Sequence, residues 1–305
     1  MTHTHRRRAA FRLLIAIPLC GMLVATSLAA AWLALGRPTV ASGAVWFQLT
    51  KVGDAEFSGV PDAPFFFLAL GNDARTDADK GLGDAIHVIG VNPATRQATI
   101  INVPRDTQAP SGDKINAYSA LQGLPGIVDQ LNRMMGISIQ YAVTVNFPRF
   151  VNLVDEIGGV DIDVPIAMDD KDSGAVFPAG PQHLGGESLL AVSRNRKDYP
   201  IEGDVKRTEN QGLVILATLA TLRAQNPGDA GALRLVSILA RHVVTDNVSL
   251  VDMYRLGRLG LSIDPASIRN VTIPTGGGAG TNLAVGPGGA ELFRDFADDG
   301  ILQSH

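Results

Sequence analysis

Four short clusters of charged residues, each beside an apolar run, contain the side chains in this sequence that could do chemistry. The apolar runs are typical of buried strands and helices, so the clusters fall where those elements begin or end. Side chains in such loops often carry function. The clusters contain Asp73 and Arg75; Asp84; Arg105, Asp106 and Lys114; and Arg194, Arg196, Asp204, Arg207 and Gln211.

Asp73 and Asp84 flank one short loop between two predicted strands, so their carboxylates could approach each other. Two carboxylates at strand ends can hold a hard cation such as Mg²⁺ through oxygen ligands. An Asp in such a loop is, taken alone, more often a turn former. The spacing therefore allows a metal site or an ordinary turn.

The basic residues also allow two interpretations. Arg105 and Asp106 could form a surface ion pair of little energetic weight, and Lys114 could simply be solvated. Arg194 and Arg196 are two residues apart, so they share a face only in extended structure. Arginine offers planar, bidentate donors that suit phosphate and keeps its charge at any physiological pH.

Asp204, Arg207 and Gln211 are spaced so that all three lie on one face of a helix that begins near Asp204. Asp is also a good residue to cap the start of a helix. The alternative is a capped helix with an internal salt bridge. If these residues converge with the other clusters, carboxylates, a metal and several arginines match what a diphosphate needs.

Other kinds of site have no support in the sequence. It contains no Ser-His-Asp set, Walker loop, zinc-ligand spacing or dinucleotide fingerprint. His87 and His183 stand alone, and a structural or surface role is the better interpretation of each. Five arginines precede the first acidic residue, Asp54, so the remainder is more acidic than the net charge of -4. An acidic domain is a poor binder of nucleic acid.

The positions of the apolar runs predict a three-layer α/β domain in which strands alternate with helices. The Gly-rich stretch from Gly276 to Gly289 predicts a loose C-terminal tail. Strands are predicted over residues 65–70, 85–91, 98–103, 140–145, 160–164 and 268–273. Helices are predicted over residues 128–135, 150–157, 184–192 and 206–224, with further helical stretches within 229–260.

Residues 13–36 form an uncharged apolar run that could cross a hydrocarbon core of about 30 Å as one helix. Arg6, Arg7 and Arg8 precede it, so the positive-inside rule places the N-terminus in the cytoplasm. The chain is therefore predicted to be a single-pass type II membrane protein whose main domain is outside the cell. A cleaved signal peptide is the alternative, because the small residues Ala29, Ala30 and Ala31 could serve a signal peptidase.

Many pieces of the chain between about Phe65 and Gln225 resemble, in order and spacing, the LytR-CpsA-Psr family of cell-envelope phosphotransferases. GGVDIDVP followed by HLGGESLLAVSRNR is the most specific part. The other matching pieces are LALGNDAR, INVPRDT, DKIN, VNFPRFVNLVDEIGG and the helix from Asp204 to Gln211.

The resemblance implies a three-layer α-β-α domain with a mixed central sheet, following one transmembrane helix. It implies transfer of a glycopolymer from a polyprenyl-diphosphate carrier to peptidoglycan, with a phosphodiester formed and polyprenyl phosphate released. The segments expected are a cytoplasmic N-terminus (1–12), an anchor (13–36), a linker or peripheral strand (37–60), the catalytic domain (61–275) and the tail (276–305).

The resemblance also implies roles for the charged clusters. The apolar helix from Leu213 to Leu222 could line a lipid pocket, although ordinary core packing explains it equally well. The residues matching the family set are Asp73 and Asp84 for Mg²⁺ or Mn²⁺; Arg105, Asp106, Asp204 and Arg207 for catalysis; and Arg75, Lys114, Arg194, Arg196 and Gln211 for the diphosphate.

One departure from the family pattern concerns the mouth of the expected site. The family usually has Arg-Ser-Asp where this chain has Leu82, Gly83 and Asp84, so an arginine expected to hold the diphosphate is absent. Two other functions stay open. A polyprenyl-diphosphate (pyro)phosphatase would use the same site with water as the acceptor, and the missing arginine suggests a non-catalytic binding protein of the cell envelope.

Overall fold

The computed structural model describes most of the predicted catalytic domain and the tail. The predicted cytoplasmic segment, the anchor and Arg75 lie outside the described residues. None of the helices described is long and apolar enough to span a membrane. The described residues are 45, 47–52, 64–74, 81–199, 203–278 and 280–303.

The described part contains thirteen strands, and seven of them form one mixed sheet. The strands are β1 (Phe47–Lys51), β2 (Phe65–Asn72), β3 (Gly83–Asn92), β4 (Gln97–Asn102), β5 (Tyr141–Asn146), β6 (Val160–Val164), β7 (Met168–Asp170), β8 (Ala175–Phe177), β9 (Gly180–Leu184), β10 (Val243–Asp246), β11 (Arg269–Thr272), β12 (Thr275–Gly277) and β13 (Leu283–Val285).

The large sheet has the strand order β10-β1-β5-β2-β3-β4-β11. Strand β5 is parallel to β2 and antiparallel to β1, while β3 is antiparallel to both of its neighbours. The mixed sheet expected from the sequence is therefore confirmed. Strand β1 lies in the stretch for which a linker or a peripheral strand was expected, and it is a strand of this sheet.

Six short strands pair outside the large sheet, as β6-β9, β7-β8 and β12-β13. The strand predicted over residues 160–164 exists as β6, but it does not join the central sheet. The strands β7, β8 and β9 were not predicted, because strands of three to five residues are too short to show a clear alternation.

Helices cover both faces of the large sheet. On β2, Phe66 and Leu68 pack against one helical layer, and Phe65 and Phe67 contribute to a separate core. This alternation is expected of a strand buried on both sides. The helices are α1 (Ile115–Met135), α2 (Phe147–Glu156), α3 (Gly186–Arg194), α4 (Gly203–Gln225), α5 (Gly228–His242), α6 (Leu250–Ser262) and α7 (Gly289–Asp299).

Helix α1 begins thirteen residues before the predicted helix, which covered only residues 128–135. Gly123 and Pro125 lie inside it, and both normally interrupt a helix. Gly123 has non-helical angles (φ 69°, ψ -162°), so the element is two helical segments joined at a kink. Gly136 ends the helix in the left-handed conformation, as predicted.

The prediction of a loose C-terminal tail is wrong. Strands β12 and β13 form a hairpin, and α7 packs against the sheet through Phe293 and Phe296. Phe296 is fully buried, and a Cβ atom added at Gly90 would lie 2.2 Å from the carbonyl oxygen of Gly300. The Gly-rich stretch ends where the amphipathic helix α7 begins, and burial of the apolar face of α7 holds this part of the chain against the sheet.

Candidate active site

A cavity of about 640 Å³ lies between one face of the large sheet and the helices that cover it. Its floor comes from alternate residues of neighbouring strands, since side chains on a strand point to the two faces in turn. Ala85, His87 and Ile89 line it from β3, and Val143 and Val145 line it from β5.

The inner part of the cavity is mostly apolar. Helix α4 lines it with residues at helical spacing, among them Val214, Ile215, Leu219 and Leu222. This helix therefore lines a cavity and also packs in a core, since Val214 belongs to the neighbouring cluster of buried residues, and a lipid in the cavity stays a prediction. Helix α2 contributes Phe150 and Leu153 among further lining residues.

The mouth of the cavity is polar and brings together seven of the eleven predicted site residues. They come from the loops after β2 and β4, the start of β3, and the helices α3 and α4, which are far apart in sequence. The lining residues are Asp73, Asp84, Arg105, Arg194, Arg196, Arg207 and Gln211.

Asp73 and Asp84 lie at adjacent strand ends because β2 and β3 are antiparallel neighbours. The Leu82 N–H donates to Asp73 Oδ1 at 2.8 Å, so Asp73 also closes the turn, as its alternative interpretation required. Arg105 Nη1 donates to Asp84 Oδ1 at 3.0 Å. Burial lowers the pKa of Arg105, but the hydrogen bond and charge of Asp84 outweigh it, so the pKa is raised.

Arg207 is the most deeply buried cation of the mouth, with 7% of its surface exposed. Burial lowers its pKa, although the charge of Asp204 partly opposes this effect. Arg207 Nη2 lies 3.2 Å from Asp204 Oδ1, but Nε and Nη2 make no hydrogen bond within the described part of the chain. Buried donors without acceptors are costly, so Arg207 is suited to bind an anion in the cavity.

Arg194 and Arg196 reach the mouth together because Asn195, between them, leaves the helical conformation. Asn195 has a ψ of 130° at the end of α3, which gives the extended backbone that the spacing required. The Arg194 guanidinium lies 5.3 Å from the centre of the Phe147 ring. Arg196 Nη1 is 3.8 Å from Asp204 Oδ1.

Three predicted site residues do not line the cavity. Lys114 Nζ donates to Asp106 Oδ1 at 2.9 Å, and this pair lies beside the mouth, where Lys114 precedes the first turn of α1. Asp204 Oδ1 lies next to two arginines of the mouth, Arg207 and Arg196. It lies in the first turn of α4 and does not act as the cap that was predicted.

Several residues that line the cavity were not predicted. Asp170, Asp172 and Ser173 come from the β7-β8 hairpin, whose strands the sequence did not reveal. Lys197 also lines the cavity, and it forms an ion pair with Asp172. His87 could have been found from the alternation of residues along β3.

His87 is buried and neutral, and a hydrogen-bonded chain fixes its tautomer. Asn270 Nδ2 donates to the Glu209 carbonyl at 3.4 Å, and Asn102 Nδ2 donates to Asn270 Oδ1 at 2.7 Å. Asn102 Oδ1 therefore accepts from His87 Nδ1, 2.7 Å away, which places the proton on Nδ1. Burial lowers the pKa of His87 to about 4. A structural role is thus supported, although the ring also lines the cavity.

Helix α4 approaches this chain of side chains very closely at Gly212. A Cβ atom added there would lie 2.2 Å from Asn270 Oδ1 and 2.7 Å from Asn102 Oδ1. The absence of a side chain therefore permits the contact between α4 and the strands β4 and β11.

The two carboxylates of the mouth, Asp73 and Asp84, offer the kind of oxygen ligand that a divalent cation prefers. The described residues contain no group of three or more His, Cys, Asp or Glu side chains that could hold a metal. Mg²⁺, however, commonly binds through one or two carboxylates together with phosphate oxygens of a substrate. Asp73 and Asp84 each accept a hydrogen bond through Oδ1, and these two residues would hold the ion.

The chain is similar to proteins of the bacterial cell envelope. It is 28% identical over 247 residues to the polyisoprenyl-teichoic acid–peptidoglycan teichoic acid transferase TagV of Bacillus subtilis, which covers 77% of this chain and 61% of that protein. The chain thus spans about three fifths of the length of this relative.

Solved structures show the same fold. The crystal structure of Bacillus subtilis TagV superposes with a TM-score of 0.64 at 26% identity, covering 78% of this chain and 97% of that one. TagT with bound octaprenyl pyrophosphate lipid superposes with a TM-score of 0.61 at 22% identity, covering 82% and 95%. The model of the LytR_cpsA_psr family matches residues 47–286. The chain therefore belongs to the LytR_cpsA_psr family, which is the LytR-CpsA-Psr family that the sequence motifs indicated.

Proposed function

We propose that this protein transfers a glycopolymer from a polyprenyl-diphosphate carrier to peptidoglycan, forming a phosphodiester and releasing polyprenyl phosphate. The observation that carries the proposal is one cavity with a cationic mouth and an apolar interior. A polyprenyl diphosphate has the same two parts, a charged head and a long hydrocarbon tail. The names of TagV and of lipid-bound TagT support the same class of substrate.

The apolar interior would hold the lipid tail. The walls from α4 and α2 offer aliphatic and aromatic side chains, and burying hydrocarbon against them is worth about 25 cal/mol per Å². A tail in this position leaves the diphosphate at the mouth.

The mouth would hold the diphosphate through arginines. Arg207 has buried N–H groups without hydrogen-bond acceptors in the described part of the chain, and an oxygen of the diphosphate would satisfy them. Arg194 and Arg105 line the same opening, so charge that develops on the leaving phosphate is stabilised from several directions. Gln211 and Arg196 complete the lining on this side.

Asp73 and Asp84 would hold Mg²⁺ or Mn²⁺ in this proposal. The bound cation would neutralise phosphate charge, as divalent cations do in other phosphoryl transfers. Arg75 and Lys114 belong to the predicted diphosphate-binding set, and both assignments stay predictions. Lys114 would have to leave Asp106 to take part.

The acceptor hydroxyl of peptidoglycan would attack the phosphorus on the glycan side of the diphosphate. Its proton needs a carboxylate within reach, and Asp204 and Asp106 are the two candidates. We favour Asp204, since it lies against Arg207 and its Oδ1 makes no hydrogen bond in the described structure. Asp106 is held by Lys114.

The remaining parts of the proposal concern location. We propose that residues 13–36 anchor the chain in the cell membrane and that the catalytic domain faces outward. The catalytic domain would then lie on the side of the membrane where peptidoglycan is found.

The proposal is tested with purified protein, Mg²⁺, a lipid-linked glycan and peptidoglycan. The expected product is glycan linked to peptidoglycan through a phosphodiester, formed together with polyprenyl phosphate. If cleavage of the diphosphate proceeds equally without peptidoglycan, the protein is a (pyro)phosphatase. If the carrier binds but no cleavage occurs under either condition, the protein is a binding protein, and transfer is excluded.

A further inference from the structure

A buried amide lies between the two arginines of the α3 terminus. Asn195 has no exposed surface, whereas Arg194 and Arg196 on either side of it line the mouth of the cavity. A polar side chain is rarely buried completely unless its hydrogen bonds are satisfied. The contacts of Asn195 therefore indicate what it holds in place.

Asn195 is bonded to Asp198 by both of its side-chain groups. Its Nδ2 donates to Asp198 Oδ2 at 2.7 Å, and its Oδ1 accepts from the Asp198 N–H at 3.4 Å. Asp198 Oδ2 also accepts from the Asp169 N–H at 3.0 Å, which ties this loop to the β7-β8 hairpin. We call the side chains of Asn195 and Asp198 with the Asp169 N–H the amide clip.

The amide clip fixes the backbone from which two arginines project. The Asn195 N–H closes α3 by donating to the carbonyls of Ala191 and Val192, so the turn away from the helix occurs at this residue. Tyr199 anchors the far end of the loop, where its hydroxyl donates to Asn210 Oδ1 of α4 at 3.0 Å. A loop held at both ends loses less freedom when a ligand binds.

We infer that Asn195 and Asp198 are positioning residues that hold Arg194 and Arg196 in the geometry needed to bind the diphosphate. This inference rests on the proposed function. The clip also joins the loop that carries these arginines to the hairpin that carries Asp170 and Asp172 to the cavity. Neither Asn195 nor Asp198 is among the residues that line the cavity.

The test measures binding of geranylgeranyl diphosphate to the whole protein in the presence of Mg²⁺. Asn195→Ala removes the amide and is expected to weaken binding about tenfold. Asn195→Asp puts two carboxylates in contact and is expected to weaken it at least as much. The double variant Asn195→Asp with Asp198→Asn exchanges the two groups and restores the side-chain hydrogen bond between them, but it loses the acceptor for the Asp169 N–H. It is expected to bind more tightly than Asn195→Asp alone without reaching the wild-type affinity.

Kinetics add a readout that a merely structural role would not change. In the transfer assay, Asn195→Ala should raise KM for the lipid carrier more than it lowers kcat, since the arginines grip the diphosphate before reaction. Asn92→Ala is the matched control. Asn92 Oδ1 accepts from Ala94 and Thr95 in the turn between β3 and β4, and Asn92 does not line the cavity.

Asp198→Ala provides a second route if Asn195→Ala does not fold, because Asp198 is only half-buried and the buried amide stays in place. The same loss of affinity is expected. Wild-type affinity in either alanine variant, or no recovery in a folded exchange variant, overturns the inference. Failure of the wild-type protein itself to bind geranylgeranyl diphosphate would instead overturn the proposed function.

Discussion

Arg207 differs from the other cations of the mouth in how little water reaches it. A guanidinium in such a place depends on the cavity contents for hydrogen bonds, whereas the exposed Arg196 can use solvent. Burying these unpaired donors is unfavourable, and hydrogen bonds to a bound anion offset that free energy. Substitutions of this residue should therefore affect activity more than stability.

We expect Arg207→Ala to lower kcat/KM for transfer about 100-fold, the usual cost of removing a donor that stabilises transition-state charge. Arg207→Lys should recover only part of this loss, because lysine cannot donate two parallel bonds. Steady-state kinetics at saturating Mg²⁺ measure both. Arg223→Ala, on the same helix but in an exposed pair with Asp264, is the control. A loss of less than fivefold for Arg207→Ala would contradict the role.

His87 should make stability depend on pH. Its pKa is about 4 in the folded protein and about 6.5 in the unfolded chain, so between these values the unfolded chain binds more protons. The contribution of neutral His87 to the free energy of unfolding is complete above pH 6.5 and is lost as the pH falls toward 4. At pH 5 this loss lowers the free energy of unfolding by about 2 kcal/mol.

Urea unfolding of wild type and His87→Gln at pH 7.5 and pH 5 checks this dependence. The loss on acidification should be smaller in His87→Gln by about the predicted amount. Equal losses in the two proteins would assign the acid sensitivity to other groups.

Leu82 tests the departure from the family pattern. It is 42% exposed, and its N–H is bonded to Asp73, so a longer cationic side chain there can reach the mouth. Leu82→Arg is expected to tighten binding of a prenyl diphosphate three- to tenfold at low salt, with a smaller gain at high salt. Leu233→Arg, exposed on α5 and outside the cavity lining, adds the same charge as a control. Equal gains in both variants would indicate only a general effect of charge.

At the scale of elements, the sheet positions the site by bringing strand ends together. Strand identity could be predicted because apolar β-branched runs alternate with turn residues, as in the β3-β4 hairpin around Asn92. Strand order could not, because β5 inserts between β1 and β2 through contacts that are distant in sequence. The short β7-β8 hairpin was missed, and with it Asp170 and Asp172.

Helix α7 is expected to serve stability alone. Phe296 is fully buried against Phe66 on the sheet face opposite the cavity. Phe296→Ala should therefore cost about 3–5 kcal/mol of unfolding free energy, as large-to-small changes in cores do. Urea unfolding measures the loss, and binding of geranylgeranyl diphosphate by the protein that is still folded should stay at the wild-type level. Weakened binding would show that the two faces of the sheet are coupled.

At the scale of the whole molecule, the charged mouth and the apolar interior should act as separable halves of one binding site. Leu219→Asn should weaken binding of geranylgeranyl diphosphate about tenfold and leave inorganic pyrophosphate unaffected. Arg207→Ala should weaken binding of both ligands. Calorimetric titration of the two variants with the two ligands gives the four values. Loss of pyrophosphate binding in Leu219→Asn would show that the interior supports the mouth directly.

The sequence predicted the chemical types in the site better than their arrangement. Helix and strand periodicities could place Arg207 with Gln211 and Arg194 with Arg196, but only the family resemblance implied that the two pairs share one site. Lys114 could not be placed from the sequence, because the turn before α1 decides which side chain pairs with it. Local periodicity carries no information about such a choice, which depends on packing between distant segments.

The close contact at Gly212 limits how the cavity can widen to bind a large ligand. Helix α4, which carries this glycine, packs directly against strands β4 and β11 without space between them. It therefore cannot move closer to the sheet. Any widening of the entrance must come from the opposite side, where α2, α3 and the hairpin meet the opening. Related chains that accept ligands of different size should therefore differ in those segments and keep the contact at Gly212 of α4.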